Sequence, residues 1–139
     1  MSAETATTVA VPIRSGADLI HVRQVLRAEA EKAGFGLVDQ TKLVTAGSEL
    51  ARNILVYATG SKGELLVEHI AEDARAGVRA TFHDEGPGIP DVEAALRDGF
   101  STGGSLGLGL PGAKRLVDFL EITSAAGSGT TVVIVKWRR

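Results

Sequence analysis

The chain has 139 residues, a formal net charge of −2 and no cysteine. This length predicts a single domain over residues 1–139. Hydrophobic residues make up 44% of the chain and charged residues 23%, which is typical of a folded globular protein. The slightly acidic balance excludes the basic surface that nucleic-acid binding needs, and the missing cysteines exclude disulfides and thiolate metal sites. The opening MSAETATT lacks the features of a signal peptide, and no apolar run reaches the ~20 residues of a membrane span. We therefore expect a cytoplasmic protein without nucleic-acid or membrane partners.

The first half of the chain predicts one strand and two helices. Alternating apolar residues predict a short edge strand over 8–13. Ser15 and Asp18 have the spacing of a capping pair, and apolar residues then recur at helical spacing up to Gly34. A second helix is predicted over 39–60, with Asp39 as its N-cap and an apolar stripe formed by Leu43, Leu50, Ile54 and Tyr57.

The second half predicts two hairpins separated by helices. Strands over 63–73 and 77–86 are joined by a turn from Asp73 to Gly77, and a short helix is predicted over 90–99. A glycine-rich loop then leads into a helix over about 109–118. The last hairpin pairs 120–125 with 130–137 across the turn AGSG. Two hairpins make the sheet mostly antiparallel, so we predict an α+β fold.

Glu49, Arg52 and Asn53 form the first candidate site. Because residues four apart lie on one helix face, Glu49 and Asn53 are expected to meet one ligand. The carboxylate suits proton transfer from a hydroxyl, and the amide oxygen suits a hard cation such as Mg²⁺. The alternative is a solvated helix face with a weak Glu49–Arg52 ion pair.

The stretch DEGPGI (84–89) forms the second candidate site. Its two glycines and proline turn the backbone sharply after a strand, without side chains that would keep a flat ligand away. An ionised Asp84 would accept a hydrogen bond from an exocyclic amine such as that of adenine. An ordinary turn is the alternative.

The stretch SLGLGLPG (105–112) contains the spacing G-x-G-x-x-G. A dinucleotide-binding turn follows a buried strand directly, whereas here a loop rich in glycine, serine and threonine precedes the glycines. The free N–H groups at the start of the following helix would suit phosphate. Lys114 and Arg115 either touch that phosphate or are surface cations. His21, His69 and His83 have no metal-ligand spacing. Ser101, Thr102 and Ser105 lack a histidine partner at motif spacing, so a hydrolase triad has no support.

The order of these motifs resembles the ATPase superfamily of gyrase, Hsp90, histidine kinases and MutL. The matching features are E-x-x-R-N on a helix, D-x-G-P-G-I after a strand, G-L-G-L before a helix, and G-x-G-T before the last strand. The resemblance covers nearly the whole chain and implies a two-layer α/β sandwich with the helices on one face of the sheet. Within the superfamily, SELARNI, GGSLGLGLPGAKRLVD and GTTVVIVKW look most like the RsbT-type switch-protein serine/threonine kinases of bacterial stressosomes.

The resemblance implies ATP and Mg²⁺ as cofactors and a role for each motif residue. Glu49 would be the catalytic base, Asn53 would carry Mg²⁺, and Asp84 would hold the adenine amine. The remaining ATP-binding positions implied by the match are Gly86, Gly88, Ile89, Gly104, Ser105, Gly107, Leu108, Gly109 and Thr130. The lid has no obvious lysine before Gly107, which leaves Arg52 and Lys114 as candidates to neutralise the γ-phosphate.

The resemblance also implies partners. Kinases of this type phosphorylate serine or threonine of STAS-domain antagonists and, once released, bind and activate a PP2C-type phosphatase. The alternatives are an anti-sigma-factor kinase and a non-catalytic nucleotide-sensing docking module. An ATP-hydrolysing clamp is disfavoured, because the chain lacks domains that would convert lid closure into work.

Overall fold

The computed structural model describes residues 4–57, 62–86, 109–124, 127 and 129–139. They form five strands and three helices, labelled here in chain order. The elements are β1 (Glu4–Ile13), α1 (Gly16–Lys32), α2 (Leu37–Tyr57), β2 (Gly63–Glu72), β3 (Arg75–Asp84), α3 (Gly109–Leu116), β4 (Phe119–Ser124) and β5 (Thr130–Trp137). The helix predicted over 90–99 lies outside the described residues.

The five strands form one sheet in the order β1-β2-β3-β5-β4, and every pairing between neighbours is antiparallel. The predicted α+β class and both hairpins are therefore confirmed, and β1 lies at an edge as expected. A dinucleotide-binding fold needs parallel strands joined by helices, and these five strands contain no such pair. The G-x-G-x-x-G spacing is thus not a dinucleotide-binding turn.

The helices cover one face of the sheet, as the resemblance implied. Alternate residues of the central strands are buried against them, including Leu65, Val67, Val78, Ala80, Phe82, Val132 and Ile134. Each helix contributes its own apolar stripe to this core: Val22, Leu26 and Ala30 from α1, Leu43, Leu50 and Ile54 from α2, and Leu110 and Ala113 from α3. The periodicities seen in the sequence therefore mark the buried faces correctly, although the Tyr57 side chain lies outside the described part.

The start of α1 follows the prediction and the start of α2 does not. The Asp18 carboxylate accepts hydrogen bonds from the N–H groups of Arg14 and Ser15, which completes the predicted pair. The prediction that Asp39 is the N-cap of α2 is wrong, because the helix begins two residues earlier at Leu37. Asp39 instead pairs with the buried Lys136 ammonium of β5 at 3.3 Å. A buried cation needs an anionic partner, so Asp39 serves as the counter-charge of Lys136 and not as a helix cap.

The β2–β3 turn is tighter than predicted. Asp73 and Ala74 alone form it, and both have positive φ, 51° and 65°. Such a two-residue turn matches the twist of an antiparallel hairpin. Gly77 therefore lies inside β3, where a Cβ would be 2.6 Å from Cε3 of Trp137. The glycine that suggested a turn serves close packing instead.

Glu29 is a buried carboxylate that links α1 to β2. Its Oε1 lies 2.7 Å from His69 Nε2, and its Oε2 accepts a hydrogen bond from Lys32 Nζ at 3.1 Å. Burial raises the pKa of Glu29, but the hydrogen bonds from His69 and Lys32 outweigh it and bring the pKa below its ordinary value near 4.5.

This lowered pKa predicts a loss of stability in acid. Because the unfolded state takes up the proton at a higher pH than the folded state, the stabilisation from Glu29 is complete above pH ~4.5 and disappears as the pH falls through the folded pKa. Urea unfolding between pH 7 and pH 3 should show a steeper loss for the wild type than for Glu29→Gln. The exposed Glu31→Gln is the matched control on the same helix and should follow the wild type. Parallel curves for Glu29→Gln and the wild type would contradict the assignment.

No helix in the described ranges has the length and apolar character to cross a membrane.

Candidate functional site

Glu49 and Asn53 occupy one face of α2, as their spacing predicted. Both side chains are partly buried, whereas Arg52 is exposed. Because the helix rises 1.5 Å per residue, the Cα atoms of Glu49 and Asn53 lie about 6 Å apart along its axis. Within the described residues Glu49 makes no ion pair with Arg52. The Glu49–Arg52 ion pair considered with the alternative is therefore not formed, whereas the choice between a binding face and a solvated face stays open.

Asp84 is a buried carboxylate at the end of β3. Its side chain is 9% exposed, and its Oδ1 accepts a hydrogen bond of 2.8 Å from the N–H of Gly86. In the sheet it lies between Gly63 of β2 and Thr130 of β5. Oδ1 of Asp84 thus holds Gly86 in place after the strand. Oδ2 has no hydrogen-bond partner among the described residues and can accept one.

The chain before β5 is pressed against the backbone of Asp84. Gly129 has φ +81°, and a Cβ there would lie 2.1 Å from the Asp84 carbonyl oxygen. Ser124 Oγ donates to the Gly129 carbonyl at 3.1 Å and is 2.9 Å from the hydroxyl oxygen of Thr130. The Thr130 side chain is 8% exposed and faces the helices together with Asp84, since the two are direct cross-strand partners.

A second glycine brings α2 to this end of the sheet. A Cβ on Gly63 would lie 2.5 Å from Cγ2 of Ile54, so the helix can reach the sheet only because position 63 has no side chain. Gly63 pairs with Asp84, and Ile54 follows Asn53 in the helix. The α2 face with Glu49 and Asn53 and the buried Asp84–Thr130 pair therefore belong to one region of the molecule.

Gly47 has the same function nearer the middle of α2. A Cβ there would lie 2.2 Å from Cδ1 of Leu26 and 3.3 Å from Cζ of Phe82. At Gly47, two residues before Glu49, the backbone of α2 therefore packs closely against side chains of α1 and β3. Neither Gly47 nor Gly63 belongs to the motifs that predicted the site. The available signal was an isolated glycine within a helical or strand pattern, which often marks close packing.

The predicted lid glycines fall mostly outside the described residues. Gly109 begins α3, and the next turn of that helix packs Leu110 and Ala113 into the core. Gly86 is buried beside Asp84. The remaining predicted positions outside the described ranges are Gly88, Ile89, Gly104, Ser105, Gly107 and Leu108.

Gly129→Ala should damage both stability and the site. The substitution places a side chain at positive φ and within 2.1 Å of a main-chain oxygen, which has little freedom to move. We expect a loss of about 2 kcal/mol or more in the free energy of unfolding, measured by urea titration. Gly127→Ala is the matched control, since its φ is +78° but no atom of the described residues lies within 4 Å of the added Cβ. An equal loss in both variants would assign the effect to φ alone.

Asp84 therefore offers a buried carboxylate acceptor to a hydrogen-bond donor, and Glu49 and Asn53 offer a proton acceptor and an amide oxygen on α2. The sequence model of the family described as histidine kinase-like ATPase domain matches residues 15–137. The chain belongs to this family. The superfamily resemblance drawn from the motifs is thereby confirmed.

Relatives within the family narrow the assignment. The chain is 48% identical over 122 residues to the serine/threonine-protein kinase RsbT of Bacillus subtilis. These aligned residues cover 88% of this chain and 90% of that relative. It is 33% identical over 101 residues to an anti-sigma F factor of Geobacillus stearothermophilus, with 69% of this chain and 68% of the relative covered. An anti-sigma F factor of Caldanaerobacter subterraneus is 29% identical over 119 residues, with 83% of this chain and 82% of that relative covered.

These values favour the RsbT type over the anti-sigma type. Both the identity and the share of each chain covered are larger for the RsbT relative than for the Geobacillus relative. The predicted RsbT-type resemblance and the predicted enzyme class, a serine/threonine protein kinase that uses ATP, are confirmed. The roles of Glu49, Asn53, Asp84 and Thr130 in this histidine kinase-like ATPase domain stay predictions.

Proposed function

We propose that this chain transfers the γ-phosphoryl group of ATP to a serine or threonine of a STAS-domain antagonist in a cytoplasmic stress-signalling complex. We further propose that the chain, once released from that complex, binds and activates a PP2C-type phosphatase. The observation that carries the proposal is the close packing of Ile54, which follows Asn53 on α2, against Gly63, the cross-strand partner of the buried Asp84.

In this proposal the adenine end of ATP binds at the sheet. Gly86 occupies Oδ1 of Asp84, so Oδ2 accepts the hydrogen bond from the adenine amine. The Thr130 hydroxyl lies beside it on the same face of the sheet. The triphosphate then extends toward α2 and the start of α3, where N–H groups of the first helical turn favour an anion.

Glu49 performs the chemical step in this proposal. The acceptor hydroxyl loses its proton to the Glu49 carboxylate while its oxygen bonds to the γ-phosphorus and the bond from that phosphorus to the β,γ-bridging oxygen breaks. Phosphoryl transfer depends mainly on positioning and on stabilising the phosphate charge, so a correctly placed base and fixed donors are sufficient.

The donor set near Glu49 fits Mg²⁺ bound mainly through the nucleotide. Asn53 supplies a hard amide oxygen, and no group of three or more histidine, aspartate or glutamate side chains that could form a protein cage occurs in the described ranges. Mg²⁺ commonly keeps waters and phosphate oxygens with one or two protein ligands. When bound, the ion would neutralise phosphate charge, and Asn53 would hold it.

A transfer assay tests the proposal. The chain is incubated with γ-labelled ATP, Mg²⁺ and purified STAS-domain antagonists, and the labelled residue is identified by mass spectrometry. We expect label on serine or threonine of the STAS protein and stimulation of a PP2C-type phosphatase by the unbound chain. A folded chain that binds ATP but labels no STAS protein would contradict the kinase proposal and favour the nucleotide-sensing docking module.

The anti-sigma relatives supply a second candidate, an anti-sigma-factor kinase. Size-exclusion chromatography with sigma factors separates the two candidates. A stable complex with a sigma factor, in place of phosphatase stimulation, would favour the second.

A further inference from the structure

We propose that the outer face of the α1–α2 hairpin is a docking surface for the protein that carries the phosphoacceptor hydroxyl, and that it selects acidic side chains next to an apolar one. This inference rests on the proposed kinase function. The surface, called the hairpin patch below, consists of Ile20, Arg23, Ser48, Arg52 and Val56.

Two side-chain contacts set the register of the hairpin. Arg23 Nε of α1 donates a hydrogen bond of 2.6 Å to Ser48 Oγ of α2. Four residues further along α1, Arg27 Nη1 donates one of 3.3 Å to Gln40 Oε1. Because the partner number falls as the α1 number rises, the two helices run antiparallel.

This register brings the five patch residues together. Ile20 lies three residues before Arg23, on the same face of α1, and Arg52 lies four residues after Ser48, on the same face of α2. One turn beyond the Arg23–Ser48 contact, Ile20 and Arg52 are therefore opposite each other. Val56 continues the α2 row by another turn.

The hairpin patch borders the proposed catalytic base. Glu49 directly follows Ser48, and Asn53 directly follows Arg52, so the Glu49–Asn53 face is turned by about 100° from the patch around the same helix. A protein bound to the patch would lie against α2 at the level of Glu49. A phosphoacceptor loop of that protein would need to extend around one side of one helix.

The chemistry of the patch indicates its partner. Ile20 is 57% exposed and Val56 is 45% exposed, two of the five large exposed hydrophobic side chains in the described ranges. Arg23 and Arg52 are exposed guanidinium groups, and the patch contains no acidic residue. Asp18, the nearest acid on α1, is engaged by the N–H groups of Arg14 and Ser15. Carboxylates flanking an apolar side chain complement such a surface.

ATP itself is a poorer match for the patch. A triphosphate would pair with the two arginines, but it has no group that would cover the exposed Ile20 and Val56 side chains. Arginine and apolar anchors side by side are typical of protein interfaces. Contact with ATP is nevertheless one outcome that the experiment distinguishes.

The test measures steady-state transfer to a STAS-domain acceptor at saturating ATP for Arg23→Glu and Ile20→Ser. We expect the KM for the acceptor to rise about tenfold in Arg23→Glu, with kcat and the Kd for ATP unchanged. Ile20→Ser introduces no charge and should raise the same KM. In the wild type this KM should increase with salt, and the increase should be smaller in Arg23→Glu.

Two controls on α2 lie at the end remote from Glu49. Leu37→Ser removes an apolar side chain that is 71% exposed, and Lys42→Glu reverses an exposed cation. Both should retain the wild-type KM. An unchanged KM in Arg23→Glu and Ile20→Ser, or an equal rise in the two controls, would overturn the docking surface. A raised Kd for ATP in Arg23→Glu would reassign Arg23 to the nucleotide, whereas failure of the wild type to label any acceptor would reject the kinase proposal itself.

Discussion

Replacing Asp84 by asparagine is expected to raise the Kd for ATP about 100-fold or more while the chain stays folded. The side-chain amide keeps one oxygen, which can still accept the N–H of Gly86 and so preserve the turn after β3. The other position becomes an NH₂ group, which would face the adenine amine donor to donor. A buried acceptor is thus exchanged for a donor at nearly unchanged volume. Calorimetric titration with ADP and ATP, with and without Mg²⁺, measures the effect.

Asp73→Asn is the matched control for this prediction. Asp73 forms the β2–β3 turn at the opposite end of β3, with a positive φ of 51° that asparagine tolerates well. We expect wild-type nucleotide affinity and unchanged thermal unfolding in this variant. Wild-type affinity in Asp84→Asn would remove Asp84 from the adenine site. A folded wild type that binds neither nucleotide would favour a docking module that needs a partner to assemble its site.

Glu49→Ala is expected to abolish phosphoryl transfer while ATP remains bound. A positioned general base contributes about 10²–10⁴-fold to the rate, and the adenine contacts proposed for Asp84 and Thr130 lie on a different element. Single-turnover transfer to a STAS-domain acceptor should therefore fall by about 10³-fold, with a Kd for ATP close to that of the wild type.

Glu31→Ala serves as the control for Glu49→Ala, because Glu31 is an exposed glutamate on α1. It should transfer phosphate at the wild-type rate. Equal transfer by Glu49→Ala and the wild type would reject Glu49 as the base. Loss of ATP binding in Glu49→Ala would show that its carboxylate acts in binding and not in proton transfer.

Local patterns along the chain determined much of the candidate site. A spacing of four residues in a helix places Glu49 and Asn53 on one face whatever surrounds the helix. The end of a strand followed by D-E-G-P-G predicted the position of Asp84, which is the last residue of β3. The glycines of the last turn predicted positive φ, and Gly127 and Gly129 have it.

Where prediction failed, a contact distant in sequence decided the outcome. Asp39 looked like an N-cap, but Lys136 of β5 is buried and takes its carboxylate, and a second carboxylate from Asp118 lies 3.7 Å from the same ammonium. Gly77 looked like a turn residue, but Trp137 of β5 occupies the space that a side chain would need. Neither partner is within reach of a local pattern, because each lies 60 or more residues away along the chain.

For the described residues, the sequence by itself determined which helices and strands form and which of their faces are buried, because periodicity and turn chemistry act over a few neighbouring residues. Only the tertiary structure decided which faces meet. The missing side chain at Gly63 lets Ile54 pack against the sheet, and the missing side chain at Gly129 lets its backbone lie against that of Asp84. At both glycines a neighbouring group lies closer than a Cβ atom would allow. Packing of the whole core sets these distances, and no local sequence spacing encodes them.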